Sequence, residues 1–165
     1  WAIPGTPGLE HRIGGLEKDY STSNISYDPT NHQRMTEVRA AKISGIADEL
    51  PLQEISSGPS EGPLAVVGWG STYGAIEEAV HAVNEKGLEV AHIHIDHLNP
   101  MPKNMATLLS GYKNILVPEM NSGQLVKLLR SAYLVPAEGL NKVTGQPFKV
   151  KEIASEIRAK LGNKK

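Results

Sequence analysis

Residues 92–97 read His-Ile-His-Ile-Asp-His, the densest run of chemically competent side chains in the sequence. Imidazole nitrogens and a carboxylate at this spacing can hold one or two zinc ions that activate a bound water. A second candidate is Gly68-Trp-Gly-Ser-Thr-Tyr-Gly74. The backbone N–H groups of such a turn around Gly68 and Gly70, with the start of a following helix, can hold a phosphate, and Ser71 and Thr72 add hydroxyl donors. Smaller candidates are Glu119 and Asn121, Asn141 and Lys142 in a polar loop, and the acid–base pair Glu10-His11. No Ser–His–Asp set or P-loop is recognisable, so the residues alone give no support for catalysis by this chain.

Each candidate has a plainer reading beside it. The stretch from His92 to His97 resembles the signature of metallo-β-lactamase-like hydrolases, with His92, His94, Asp96 and His97 as ligands. Those enzymes need further histidines downstream, but His97 is the last in this chain. Leu98-Asn-Pro-Met-Pro102 follows where small, glycine-rich residues are required, and the motif forms the second half of a strand instead of following one. On a strand, Val90, His92 and His94 share one face and Ala91, Ile93 and Ile95 the other. Two imidazoles on one face suit a sheet that meets another domain or subunit. The glycine turn fits a dinucleotide site poorly, because Gly74 falls one position late for GxGxxG and Asp96 lies too far on to serve as the ribose acid. A tight strand-to-helix turn with Ser71 or Thr72 as cap explains the same residues. Asn121 or Ser122 can cap a helix, Lys142 can sit in an exposed loop, and adjacent Glu10 and His11 rarely converge on one proton.

The elements that must position these groups follow from periodicity. Residues 1–28 are irregular. Asp28 and Pro29 start a helix with a modest stripe at Met35, Val38, Ala41 and Ile46, stopped by Pro51. Ser56-Ser-Gly-Pro-Ser-Glu-Gly-Pro63 is a linker. Strands are expected at 64–67, 89–95, 114–117 and 140–143. Helices are expected around Ile76, Ala79, Val80 and Val83, ending at Gly87, and around Met105, Leu108 and Leu109, ending at Gly111. Two more are expected from Ser122 through Leu125, Leu128, Leu129 and Ala132, and through Val150, Ile153, Ala154, Ile157 and Leu161 to a basic, solvated end at Lys160–Lys165. Alternating strands and helices imply a mostly parallel sheet covered on both faces.

Composition narrows the classes. The chain has 165 residues, a formal charge of −1 and no cysteine, which excludes disulfides, thiolate nucleophiles and cysteine-ligated clusters on these residues. Charge balance gives no general attraction to nucleic acid or anionic membrane, and no apolar run is long enough for a membrane span. The opening, Trp1-Ala-Ile-Pro-Gly5, lacks an initiator Met and a signal pattern, so a piece of something longer is expected.

Taken in order, Gly8-Leu-Glu-His11, Ser26-Tyr-Asp-Pro-Thr-Asn-His32, Val67-Gly-Trp-Gly-Ser-Thr-Tyr-Gly74, His97-Leu-Asn99-Pro100, Val117-Pro-Glu-Met-Asn121, and Gly139-Leu-Asn-Lys142 with Gly145-Gln-Pro-Phe148 resemble the C-terminal part of the α subunit of 2-oxoacid:ferredoxin oxidoreductases of the 2-oxoglutarate type. The resemblance implies oxidative decarboxylation of a 2-oxoacid on thiamine diphosphate, acyl transfer to coenzyme A, and electron exit through an iron–sulfur cluster to ferredoxin. It implies a β subunit carrying the diphosphate site, with Mg, and the cluster, and a cytoplasmic setting. Residues 62–165 are then expected to form a transketolase C-terminal-like α/β/α sandwich with a mixed five-stranded sheet. Residues 1–58 are the tail of a preceding pyrimidine-binding domain plus its connector. The carboxylate that activates thiamine has no counterpart here, so no catalytic residue and no metal site carry over. The matching phrases read as ligand or interface loops.

Overall fold

The structure, a computed structural model, describes residues 2–11 and 13–162. Expectations for Trp1 and for the last basic residues beyond Gly162 lie outside that range. The chain divides into two compact units, Trp1–Gly45 and Ile46–Lys165.

The first unit is a small assembly around α1 (Pro29–Gly45). Asp28 caps the helix, its Oδ1 accepting the Thr30 N–H at 2.8 Å. Asn31, the one buried residue of α1, ties the preceding strand-like turn to the helix. Its Nδ2 donates to Lys18 O and its Oδ1 accepts from Tyr20 N–H, both at 3.0 Å. Of the expected apolar stripe only Met35 is as much as half-buried, and the helix stops at Gly45, well before Pro51. A tight 3-10 turn at Ile46–Asp48 replaces its last turn.

The second unit holds β1 (Gly62–Trp69), α2 (Tyr73–Asn84), β2 (Val90–Ile95), α3 (Met105–Ser110), β3 (Tyr112–Glu119), α4 (Gln124–Tyr133), β4 (Ala137–Asn141) and α5 (Val150–Lys160). The sheet order is β2-β1-β3-β4 and every pair is parallel. Alternation along the strands sorts the core into two layers. Ala65, Val67, Ala91, Ile93, Ile115 and Val117 pack under α3 and α4. Leu64, Val66, Val90 and Leu116 pack under α2 and α5, meeting Ile76, Ala79, Val80 and Val83 from one helix and Ile153, Ala154 and Ile157 from the other. The three-layer sandwich therefore stands.

Three expectations need correction. Among the described residues the sheet has four strands, all parallel, and not a mixed five. Where an antiparallel fifth would lie, Ser57 makes a single bridge to His92 on the outer edge of β2. Gly58, at φ +92°, and Pro59 then turn the chain away before a ladder can grow. β4 begins at Ala137, three residues earlier than its apolar run suggests, because its register starts at the Ile115–Ala137 pair, and Val143 is left exposed. On α4 the buried face is Leu125, Val126 and Leu129, while Leu128 and Ala132 point outward.

Candidate functional site

Strand order reverses between β1 and β3, and in open α/β sheets the crevice beyond the strand ends at such a switch point is where ligands gather. The turn after β1 and the turn after β3 meet there. Trp69, Gly70, Ser71 and Thr72 face Glu119, Met120 and Asn121 across a crevice of about 180 Å³. Gly68 supplies close approach beneath it, since a Cβ there would strike Ile76 and lie 2.9 Å from Thr72 Oγ1. Gly70, at φ +59°, makes the turn, and the Thr72 hydroxyl donates to Trp69 O at 3.0 Å. Ser71 lies exposed at the mouth.

The polar groups on the far wall are already engaged. Glu119 is 1% exposed. Its Oε2 accepts the Leu125 N–H at 2.7 Å and its Oε1 the Val126 N–H at 3.0 Å. Asn121 Oδ1 accepts from Gly123 N–H at 2.8 Å and Gln124 N–H at 2.9 Å. Together these two side chains satisfy the amides that the start of α4 would otherwise offer an anion. Asn141, at the end of β4, donates from Nδ2 to Asn121 O at 3.0 Å, so three sequence candidates form one cap. Lys142 turns away from the crevice. Its Nζ bonds both carboxylate oxygens of Glu152, at 3.0 and 2.8 Å, and Pro147 O at 3.1 Å, fastening the loop before α5.

The histidines lie on the other flank. One face of α2 that borders its apolar stripe carries Tyr73, Glu77 and Asn84, and each meets β2. Asn84 brackets Val90, accepting its N–H at 3.0 Å and donating to its carbonyl at 2.8 Å. Glu77 Oε2 lies 2.6 Å from His92 Nδ1. The Tyr73 ring stands 5.1 Å from the His92 ring and 4.9 Å from that of His94. An ionised carboxylate only accepts, so Nδ1 of His92 carries the proton. His92 Nε2 and His94 Nδ1 are buried without a hydrogen-bond partner. Burial pushes the pKa of His92 below the usual histidine range against the opposing pull of Glu77. Burial, helped by neighbouring His92, lowers that of His94 as well. The hydrogen bond from His92 holds Glu77 below the usual carboxylate range.

A cleft of about 600 Å³ opens beside this cluster, between the stretch 51–56 and the loop after β2. His94, Asp96 and His97 line it with Tyr73 and Gln53. Asn99 lies exposed farther along that loop, before Pro100. Among the described residues no three His, Asp or Glu side chains come together in a way that could hold a metal ion, which leaves the zinc-hydrolase reading of this run without a site. Glu10 and His11 belong to the first unit, both exposed, with His11 Nδ1 2.8 Å from Leu9 O.

Sequence reasoning missed Glu77, Tyr73 and Ser57. The signal was present in part, because positions 73, 77 and 84 repeat at helical spacing beside the stripe at 76, 80 and 83. That they face the edge strand and not solvent follows only from the strand order.

A parallel α/β/α layer sandwich with its loops gathered at one edge places the chain in a recognisable class. Residues 63–153 match the model of pyruvate:ferredoxin oxidoreductase core domain II, and the chain belongs to that family. It is 46% identical over 164 residues, 99% of the chain, to 2-oxoglutarate oxidoreductase subunit KorA of Mycobacterium tuberculosis, of which it covers 25%. To 2-oxoacid:ferredoxin oxidoreductase 2, subunit alpha, of Aeropyrum pernix it is 30% identical, over 88% of the chain and 23% of that protein. A solved structure, 2-oxoglutarate:ferredoxin oxidoreductase from Magnetococcus marinus with 2-oxoglutarate, coenzyme A and succinyl-CoA bound, superposes with a TM-score of 0.88 at 29% identity, covering 98% of this chain and 28% of that one. A split-gene transketolase shares the fold alone, with a TM-score of 0.50 at 14% identity over 63% of this chain and 39% of that one. The chain thus spans about a quarter of the length of the curated relatives first matched.

Proposed function

We propose that the chain is a non-catalytic scaffold and interface part of the α subunit of a thiamine-diphosphate-dependent 2-oxoacid:ferredoxin oxidoreductase, acting on 2-oxoglutarate. The whole enzyme decarboxylates the oxoacid, passes the acyl group to coenzyme A and reduces ferredoxin. The observation that carries the scaffold reading is that the polar residues singled out by sequence are largely engaged within the chain. Glu119 and Asn121 hold α4, Lys142 holds Glu152, and His92 holds Glu77. The loops beyond the strand ends, with Ser71, His97 and Asn99, are left as contact surface.

Two features weigh against the enzyme's cofactors on these residues. The α4 amides are occupied by Glu119 and Asn121, and there is no cysteine to ligate a cluster. Thiamine diphosphate, Mg and the iron–sulfur cluster are assigned to the rest of the complex, as the family resemblance implies. The partners are the rest of the α chain and the β subunit, with ferredoxin and coenzyme A meeting the assembled complex in the cytoplasm. Residues 1–58 are the end of the preceding domain and its connector, and 62–165 the scaffold domain.

Given 2-oxoglutarate, coenzyme A, thiamine diphosphate, Mg and ferredoxin, the isolated chain is expected to reduce no ferredoxin, whereas complete α and β subunits turn over. Ferredoxin reduction by the chain alone, followed by absorbance, would overturn the reading.

A further inference from the structure

Ser57, Glu77 and His92 come from three different segments and close around one oxygen. Glu77 Oε2 accepts the Ser57 hydroxyl at 3.0 Å and His92 Nδ1–H at 2.6 Å. The backbone repeats the link, with Ser56 N–H on His92 O and His92 N–H on Ser57 O, each at 2.8 Å. Gln53 adds a bond from Nε2 to His94 O at 2.7 Å. The stretch 53–58 is therefore a strap laid on the outer edge of β2, and its residues 53–56 form one wall of the cleft. We propose that Ser57, Glu77 and His92 form a clasp that keeps the strap on β2 at neutral pH and releases it in mild acid, opening the cleft and baring the strand edge.

The geometry sets the direction. In the clasped state Nδ1–H is committed to the carboxylate and Nε2 is buried with no acceptor near it. A second proton on that ring would leave a buried N–H donor unpaired, which is costly. With the strap lifted, water reaches the pair and the ring protonates freely. The pKa of His92 is lowered in the clasped state, by burial first. As pH falls through its ordinary value of 6.5, the open state therefore gains a proton that the clasped state refuses. Glu77 acts in the same direction in stronger acid. Its lowered pKa gives the clasp an advantage that is present above 4.5 and lost as pH falls through the clasped-state value.

The groups facing the pair are few. From α2 come Tyr73 and, on Glu77, His81, which when protonated favours the ionised carboxylate. From β2 comes His94, with Asp96 beyond it. From the strap comes Ser57, and β1 presents Val66, which has no charge.

The test is hydrogen–deuterium exchange by mass spectrometry on the intact protein in its native assembly, at pH of about 7.5 and about 5.5, corrected for intrinsic exchange. Peptides covering 53–59 and 90–95 are expected to lose about tenfold or more in protection on acidification, while those from β3 hold steady. His94, whose Nδ1 is buried unpaired as well, adds a part of its own, so the clasp is read in a His94→Gln background, where pH dependence persists and a further His92→Gln abolishes it. In Glu77→Ala, which removes the acceptor of both bonds, the strap is already loose at the higher pH. Equal wild-type protection at both pH values would overturn the clasp. So would pH dependence that survives when His92→Gln is added to His94→Gln. Should that variant fail to fold, wild-type-like protection in Glu77→Ala at the higher pH overturns the clasp equally.

Discussion

Glu119→Ala is expected to destabilise the sheet-bearing unit by about 3–5 kcal/mol, read as a lower urea midpoint at unchanged slope. The carboxylate is buried and accepts two buried amides at the start of α4. Charge-assisted bonds of this kind contribute about 1.5–3 kcal/mol each, and their loss leaves both N–H groups without a side-chain partner. Glu119→Gln keeps the shape but aims an amide NH₂ at one of the two donors, so it should recover only part of the loss. An alanine variant with wild-type stability would mean that Asn121 alone suffices to hold the helix start.

Gly58→Ala should cost about 3 kcal/mol or more. The residue sits at φ +92°, where an L side chain is strained, and a Cβ would run into the carbonyl oxygen of Val90 and lie 2.8 Å from Ala91 Cα. Both obstacles are backbone of β2, held in the sheet ladder, so the strap must yield. The variant is expected to unfold at lower urea and to expose 53–59 to proteolysis before the sheet opens. Undiminished stability would show that the strap tolerates displacement from β2 without loss.

How much of this was legible depended on whether periodicity or partner choice decided the outcome. The α2 stripe at Ile76, Ala79, Val80 and Val83 was readable because helical spacing and an apolar core requirement coincide, and the structure buries all four. The all-apolar run 64–67 likewise marked a strand covered on both faces. β4 was misplaced because Ala137, Glu138 and Gly139 have little strand character by themselves. Their pairing with β3 supplies the order, and that is tertiary information. α4 presented several apolar residues, and which of Val126 and Leu128 turned inward was settled by the sheet beneath. At the site, the sequence named Glu119 and Asn121 as possible ligands and only Asn121 or Ser122 as a cap, whereas the hydrogen bonds put both Glu119 and Asn121 on the α4 amides. It named His92 without its carboxylate, because Glu77 lies fifteen residues away and meets it only through the α2–β2 packing.

The proposed scaffold role requires that this domain position other parts of a 2-oxoacid:ferredoxin oxidoreductase without touching the reacting atoms. The most direct test measures ferredoxin reduction per assembled complex, with assembly quantified by native mass spectrometry, for complete enzyme carrying Ser71→Ala, His94→Gln or His97→Gln. If the domain is a scaffold, any lost activity follows lost assembly, and turnover per assembled complex stays within about twofold of wild type, a barrier change of roughly 0.4 kcal/mol. A variant that assembles fully yet turns over about a hundredfold more slowly would place one of these residues in the chemistry and contradict the scaffold role.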